Sequence, residues 1–164
     1  MNPNVLWLVP LAYAIHMAEE TPRFIPWTKR YAWLFTDRFT MPLFLFGNGV
    51  FMAYVLVSVY LATTRTSEWT LIWGLSTAAW LLVNFLQHAL LTLVSGEYSP
   101  GVVTAGAVYV PVALYVYQTF WRAGALTPSR LAWSIVIGVA VMWVPQLNAI
   151  RIARADKRRA TLGQ

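Results

Sequence analysis

Five long apolar stretches constrain this chain more than any other feature of its sequence. They cover approximately residues 4–20, 41–62, 69–94, 101–121 and 129–150. A helix that crosses a bilayer needs about 20 predominantly apolar residues, and the polar segments between these stretches are typical of turns. Hydrophobic residues make up 59% of the chain and charged residues 11%, against roughly 25% charged residues in soluble domains. The sequence therefore predicts an all-α integral membrane bundle of five transmembrane helices, as one transmembrane domain over residues 1–164.

The segment between the first two stretches, residues 21–40, mixes aromatic with basic residues. Such a mixture is typical of a segment that lies in the membrane interface. We therefore expect the first helix to end near Glu20 and an interfacial segment to follow it. The N-terminal stretch lacks both a basic segment ahead of its apolar part and a small-residue cleavage site, so we expect a retained helix rather than a signal peptide.

The basic residues predict how the chain is oriented. If the basic tail, residues 151–164, is cytoplasmic, nine of the twelve Lys and Arg residues lie in cytoplasmic segments, and only Arg65, Arg122 and Arg130 lie outside. The positive-inside rule favours that arrangement. We expect a multi-pass protein of the inner cell membrane with its N-terminus outside and its C-terminus cytoplasmic. The tail then faces anionic membrane lipids, which accounts for the net charge of +6 without nucleic acid as a partner.

Ionisable side chains inside apolar helices are rare, and by default they indicate a functional site. The stretch AIHMAEETP places His16, Glu19 and Glu20 at positions i, i+3 and i+4, on one face of the first helix. Asn84 and His88 share a face of the third helix in the same way. In the predicted topology both histidines lie near the cytoplasmic leaflet. We therefore interpret these five residues as candidate catalytic residues of one site.

Three further residues fall at the same level of the predicted bundle. Asn48 lies in a Gly-Asn-Gly sequence early in the second helix, and Pro100 and Gly101 begin the fourth. A Pro-Gly start leaves backbone N–H groups exposed and allows close approach. We interpret Asn48, Pro100 and Gly101 as candidate substrate-binding residues of a polar cavity.

Two imidazoles and two carboxylates on facing helices are suited to a transition metal. The candidate ligands are His16, Glu19, Glu20 and His88, and the expected ion is Zn²⁺ or Fe²⁺. The metal would activate a water or polarise a carbonyl of a lipophilic small-molecule substrate, in hydrolase-type or related lipid-modifying chemistry. Two alternatives remain open: a metal-free acid–base isomerase or cyclase of a lipid or terpenoid, and a non-enzymatic binding, transport or accessory subunit. A homo-oligomer also remains open.

The same residues resemble the motifs of a known family. HMAEE (His16 to Glu20), NFLQH (Asn84 to His88) and SPG (Ser99 to Gly101) are similar to the HxxEE, NxxxH and PG motifs of the HXXEE family, in the same order. These are small helical membrane proteins of unassigned function that are suspected of being enzymes. The resemblance implies that the family's motif positions in this chain are His16, Glu19, Glu20, Asn84, His88, Pro100 and Gly101.

Overall fold

The computed structural model describes residues 2–31 and 39–161, with side chains in the last helix described up to Val144 and at Leu147 and Arg151. It contains five long helices and, within these ranges, no strand. A 3₁₀ turn, Pro3–Trp7, leads into the first of them. The helices are α1 (Leu8–Arg30), α2 (Met41–Thr64), α3 (Glu68–Ser95), α4 (Val102–Arg122) and α5 (Pro128–Thr161). The prediction of an all-helical fold with five helices is confirmed.

The surface of the bundle is suited to a membrane. α2, α3 and α4 are each long and apolar enough to cross one. Large apolar side chains are displayed outward, with Leu93 80%, Phe46 71% and Trp121 65% exposed. Water-soluble domains rarely expose contiguous apolar surface on this scale. The membrane-spanning character predicted for these three helices is thus supported, and that of α1 and α5 stays a prediction.

The predicted end of the first helix near Glu20 is wrong. α1 continues to Arg30 through Pro22 and Pro26, so the two glutamates lie in the middle of a helix. The helix persists because its second half is packed: Phe24 and Ile25 are buried against Phe44 of α2. Residues 21–30 are therefore a helical continuation of α1, and their position at the membrane interface stays a prediction. The rest of that predicted segment includes residues 32–38, which lie outside the described part of the chain.

α5 also extends further than predicted. The fifth apolar stretch was expected to end near residue 150, but the helix continues to Thr161 through most of the basic tail. Between residues 151 and 161 the sequence contains neither proline nor glycine and is rich in Ala, Arg and Lys. These residues favour helix, so the apolar stretch ends without ending the helix.

α3 packs against α1, α2, α4 and α5. Its contact with α5 is close because Gly138 lies directly over α3: a Cβ atom there would be 2.8 Å from the Cβ of Ala79 and 2.9 Å from the carbonyl oxygen of Ser76. Small residues allow helices in membranes to approach in this way. Every other helix is therefore positioned against the one that carries His88.

Two ion pairs define the ends of the bundle. Arg30, at the end of α1, pairs with Glu97 in the α3–α4 loop at 3.1 Å. Arg130, near the start of α5, pairs with Glu68, at the start of α3, also at 3.1 Å. The α3–α4 loop and the end of α1 thus lie at one end of the molecule, and the starts of α3 and α5 at the other. This agrees with the predicted topology, in which successive helices cross the membrane in opposite directions.

Candidate functional site

His16 and Glu20 of α1 and His88 of α3 form a buried cluster. Glu20 Oε2 lies 3.6 Å from His16 Nε2, and Glu20 Oε1 lies 3.5 Å from His88 Nε2. The two imidazole rings meet edge to face with their centroids 5.0 Å apart. None of the three residues is more than 6% exposed. The structure thus brings together three of the four predicted metal ligands, with one donor atom from each within 4.8 Å of the others.

Each histidine is held through its second ring nitrogen by a hydroxyl group. His16 Nδ1 lies 3.0 Å from Thr104 Oγ1, and His88 Nδ1 lies 3.1 Å from Ser99 Oγ. Ser99 lies in the segment that joins α3 to α4, and Thr104 lies in the first turn of α4. In metal sites, a partner at the second nitrogen orients the ring and determines which nitrogen is free to ligate. Here both Nδ1 atoms are occupied, and both Nε2 atoms are directed at Glu20.

The two ring nitrogens of His16 differ in their surroundings. Nδ1 lies 3.0 Å from the Thr104 hydroxyl, which also lies 3.3 Å from the Gly101 carbonyl. Nε2 faces Glu20 and has no hydrogen-bond partner among the described residues.

The spacing of the cluster fits a metal ion. His16 Nε2 and Glu20 Oε2 face each other at 3.6 Å, which is too long for a direct hydrogen bond. Ligand atoms about 2.1 Å from one zinc ion at a tetrahedral angle lie about 3.4 Å apart. Both distances from Glu20 to the histidines are close to that value. The three residues could therefore hold a divalent ion with little rearrangement.

Glu19 lies in a different environment from Glu20. Its carboxylate accepts hydrogen bonds from the backbone N–H of Thr104 at 2.7 Å, from that of Gly101 at 3.3 Å, and from the Tyr98 hydroxyl. N–H groups at a helix start lack partners within the helix, and a carboxylate stabilises them. Partial burial and the Glu19 carboxylate raise the pKa of Tyr98, so the phenol remains a donor. Glu19 thus anchors the start of α4, and the structure does not bring it into the cluster.

Gly101 closes the cluster from the side of the α3–α4 segment. Its φ of +97° lies in the left-handed region, which favours glycine. A Cβ atom at this position would lie 2.5 Å from His16 Cε1 and 3.0 Å from His88 Cε1. Pro100, the residue before it, is buried. Gly101 therefore packs directly against the two imidazoles, and Pro100, also predicted to bind substrate, is buried next to it in the chain.

Asn84 lies one helical turn before His88 on the same face of α3. Its side-chain oxygen is buried and has no hydrogen-bond partner in the described ranges. The structure therefore leaves the amide of this predicted catalytic residue with an unused acceptor.

Asn48, predicted to bind substrate, joins α2 to α1. Tyr13 donates its hydroxyl hydrogen to Asn48 Oδ1 at 2.6 Å, and Asn48 Nδ2 donates to the Phe44 carbonyl at 2.9 Å. Tyr13 is 1% exposed and packs on Trp80 with ring centroids 4.8 Å apart. Asn48 Oδ1 is thus engaged in a contact with α1, and Nδ2 in a hydrogen bond within α2.

We expect Asn48→Ala to lower the free energy of unfolding by about 1–3 kcal/mol, because the buried Tyr13 hydroxyl loses its side-chain acceptor. Metal content, measured on the same purified protein, should not change. Tyr13→Phe should lower the stability of the Asn48→Ala background less than that of the wild type, since in this background the hydroxyl keeps only the backbone carbonyl of residue 48, at 3.1 Å, as its acceptor. If Asn48→Ala instead left stability unchanged and reduced the metal content, Asn48 would belong to the site.

Sequence reasoning missed Ser99, Thr104, Tyr98 and Tyr109. Ser99 immediately precedes the Pro-Gly pair, and Thr104 lies in the first turn after it. This proximity to the pair is the one sequence signal that could have identified Ser99 and Thr104. Single hydroxyl residues are common in membrane helices, so their types alone indicate nothing. Tyr98 and Tyr109 resemble the other aromatic residues of the chain, and only their contacts distinguish them.

These features define a class: an all-helical chain with helices long and apolar enough to span a membrane, which buries a His–Glu–His cluster between α1 and α3. The chain matches the family model described as "Protein of unknown function with HXXEE motif" over residues 7–116. The chain therefore belongs to the HXXEE family. Neither the curated proteins nor the solved structures contain a match to it.

Proposed function

We propose that His16, Glu20 and His88 bind a divalent metal ion, Zn²⁺ or Fe²⁺, and that the protein is a metal-dependent membrane enzyme. The observation that carries this proposal is the buried His16 Nε2, which has no hydrogen-bond partner among the described residues and faces a Glu20 carboxyl oxygen at 3.6 Å. Buried polar groups without partners are unfavourable, and buried charges are usually paired or coordinate metals. A metal ion at this point satisfies the nitrogen and the carboxylate together.

The donor set supports a catalytic rather than a structural site. Two histidine nitrogens and one carboxylate are found in catalytic zinc sites and in non-haem iron sites, where three protein ligands leave a position for water or substrate. A metal held by His16, Glu20 and His88 would supply Lewis-acid chemistry that could activate a water or polarise a carbonyl, as in a hydrolase. Thr104 and Ser99 hold the two imidazoles in the ligating orientation.

The substrate in this proposal is a lipophilic molecule that reaches the site from the bilayer. The cluster lies between helices whose outer faces are apolar, and it is closed by the segment that also carries Glu97. Glu97 pairs with Arg30, so the site is nearer the end of the bundle that carries the basic residues after Glu20. By the positive-inside rule that end is cytoplasmic. We therefore place the site at the inner leaflet of the cell membrane, with the N-terminus outside and the C-terminus inside.

A metal-free acid–base enzyme is the second candidate, because the Glu20 carboxyl contacts both imidazoles at 3.5–3.6 Å. A proton shared within this group could be delivered to an olefin or epoxide of a lipid, as in an isomerase or cyclase. The same residues would carry this reaction. Metal content separates the two candidates.

Elemental analysis of the purified, detergent-solubilised protein tests the proposal. We expect close to one equivalent of zinc or iron in the wild type and a loss of at least about 90% in His88→Ala, because a missing ligand weakens binding more than the roughly 10- to 100-fold seen for outer-sphere partners. Glu68→Gln is the control, since Glu68 is an exposed acid at the opposite end of the bundle. If the wild-type protein contains no metal after purification and after reloading, the metal proposal is wrong and the metal-free acid–base enzyme remains as the candidate.

A further inference from the structure

Three buried polar groups beside the cluster have no hydrogen-bond partner within the described part of the chain. They are the indole N–H of Trp80, the side-chain oxygen of Asn84 and the hydroxyl of Tyr109. Trp80 is 1% exposed and Tyr109 is fully buried. None of these three groups belongs to the cluster of His16, Glu20 and His88.

The three groups are neighbours of one another and of the cluster. Trp80, Asn84 and His88 lie at positions i, i+4 and i+8 of α3, which is one face of the helix. The ring of Tyr109 lies over His16 with centroids 4.6 Å apart, and it is 6.5 Å from the ring of Trp80. The three groups therefore lie on the side of the cluster that faces the interior of the bundle, away from the α3–α4 loop.

The backbone around Tyr109 is also unusual. Residues Ala105–Tyr109 of α4 form a π-helical segment that ends at this residue. π-helical segments are rare, and they occur frequently at functional sites. This is a second feature, independent of hydrogen bonding, that distinguishes Tyr109 from the other tyrosines.

Unpaired polar groups in a protein interior are unfavourable, because they lose the hydrogen bonds that water gave them in the unfolded chain. Native structures keep few of them, and those that remain usually pair with a ligand, an ion or an ordered water. Tyr13, close to the same point, shows the contrast: its hydroxyl is paired with Asn48. Tyr109 packs on a candidate metal ligand, and Trp80 and Asn84 lie on the face of α3 that carries His88, so the three unpaired groups together indicate a bound ligand.

We propose that Trp80, Asn84 and Tyr109 form a subsite that binds the hydroxyl group of a lipophilic alcohol beside the metal cluster. The indole N–H only donates, the amide oxygen only accepts, and the phenol does both. A hydroxyl group accepts two hydrogen bonds and donates one, so it pairs with all three. An ether cannot donate and a hydrocarbon can do neither. The inference rests on the proposed function in one respect, namely that the cluster is the reaction centre that the alcohol approaches.

Thermal unfolding of the full chain in detergent tests the subsite with three matched probes: 1-decanol, 1-methoxydecane and decane. A ligand that binds only the folded state raises the unfolding temperature as its concentration increases. We expect 1-decanol to raise this temperature in a saturable way, and the ether and the hydrocarbon to raise it no more than added detergent does. Equal effects of all three probes would overturn the proposal.

Tyr109→Phe is the decisive variant, and Tyr117→Phe is its matched control. The Tyr117 hydroxyl lies 3.2 Å from the Leu75 carbonyl and 3.0 Å from Ser134 Oγ, so removing it should lower the unfolding temperature without changing the response to decanol. Tyr109→Phe should leave the unfolding temperature without probe unchanged or raised, because no protein hydrogen bond is lost. It should also weaken decanol binding about threefold to tenfold.

Two further results keep this test separate from that of the metal. Trp80→Phe, which removes only the N–H donor and some ring volume, should weaken decanol binding as Tyr109→Phe does. Metal content measured on every sample should stay at the wild-type level in both variants; a wild type that lacks metal but responds to decanol would remove the proposed function and keep the subsite. If Tyr109→Phe lowers stability without probe and decanol acts like the ether, the groups hold ordered water only, and the subsite is wrong.

Discussion

Gly101→Ala is expected to disrupt the cluster of His16, Glu20 and His88 that we propose as the metal site. The new Cβ atom would lie 2.5 Å from one imidazole and 3.0 Å from the other, so both rings must move apart or α4 must retreat. The backbone there, at a φ of +97°, also disfavours alanine. Overpacking and left-handed strain together should lower the free energy of unfolding by about 2–5 kcal/mol. Metal content should fall below about a tenth of the wild-type value, because ligand orientation strongly affects affinity.

Gly96→Ala is the matched control for this variant. Gly96 ends α3 at a φ of +67°, and a Cβ atom there would meet nothing within 4 Å. Its replacement should lower the free energy of unfolding only by the strain of the backbone, about 1–2 kcal/mol. Metal content should stay at the wild-type level. Equal losses of metal in the two variants would mean that the close packing of Gly101 against the imidazoles is unimportant.

Glu20→Gln should remove the metal and keep the fold. The carboxylate is the one acidic donor between the two histidines, and an amide is a poor ligand for zinc or iron, so we expect affinity to fall by at least about 100-fold. A neutral amide is also less costly to bury than a carboxylate. The unfolding temperature of the metal-free protein should therefore be unchanged or higher. Metal titration and thermal unfolding of chelator-treated protein check both statements.

Glu19→Gln should show the opposite pattern. The variant keeps one acceptor oxygen and loses the charge that stabilises the start of α4, where Thr104 and Gly101 donate. We expect the metal-free protein to lose about 0.5–2 kcal/mol of stability. Metal affinity should fall by about 10- to 100-fold, since the anchored segment holds the hydroxyls that orient both imidazoles. If Glu19→Gln abolished metal binding at unchanged stability while Glu20→Gln retained it, the roles of the two glutamates would be reversed.

Much of the site could be predicted from the sequence because its parts are close together along two helices. His16 and Glu20 are four residues apart, as are Asn84 and His88, and that spacing places each pair on one helix face in any helical fold. The scarcity of other ionisable residues in the apolar stretches indicated that the two faces meet. The structure brings His16, Glu20 and His88 within 4.8 Å of one another.

The end of α1 could not be predicted in the same way. Charges, two prolines and interfacial residue types after Glu20 all favour the end of a helix when they are considered locally. The burial of Phe24 and Ile25 against Phe44 outweighs that local preference. The carboxylates that would oppose the dipole at a helix end therefore lie in mid-helix, where this effect is small.

The sequence by itself determined the helical class, the apolar surface and the two helix faces that carry histidine. These properties follow from composition and from the 3.6-residue period of the helix. Only the tertiary structure decided which glutamate faces the histidines. Glu19 and Glu20 are separated by about 100° around the α1 axis, and the position of α3 and of the α3–α4 segment assigns one to the cluster and the other to the start of α4. The hydroxyls of Ser99 and Thr104 and the space left by Gly101 depend on the same packing, because they arise where segments distant in sequence come into contact.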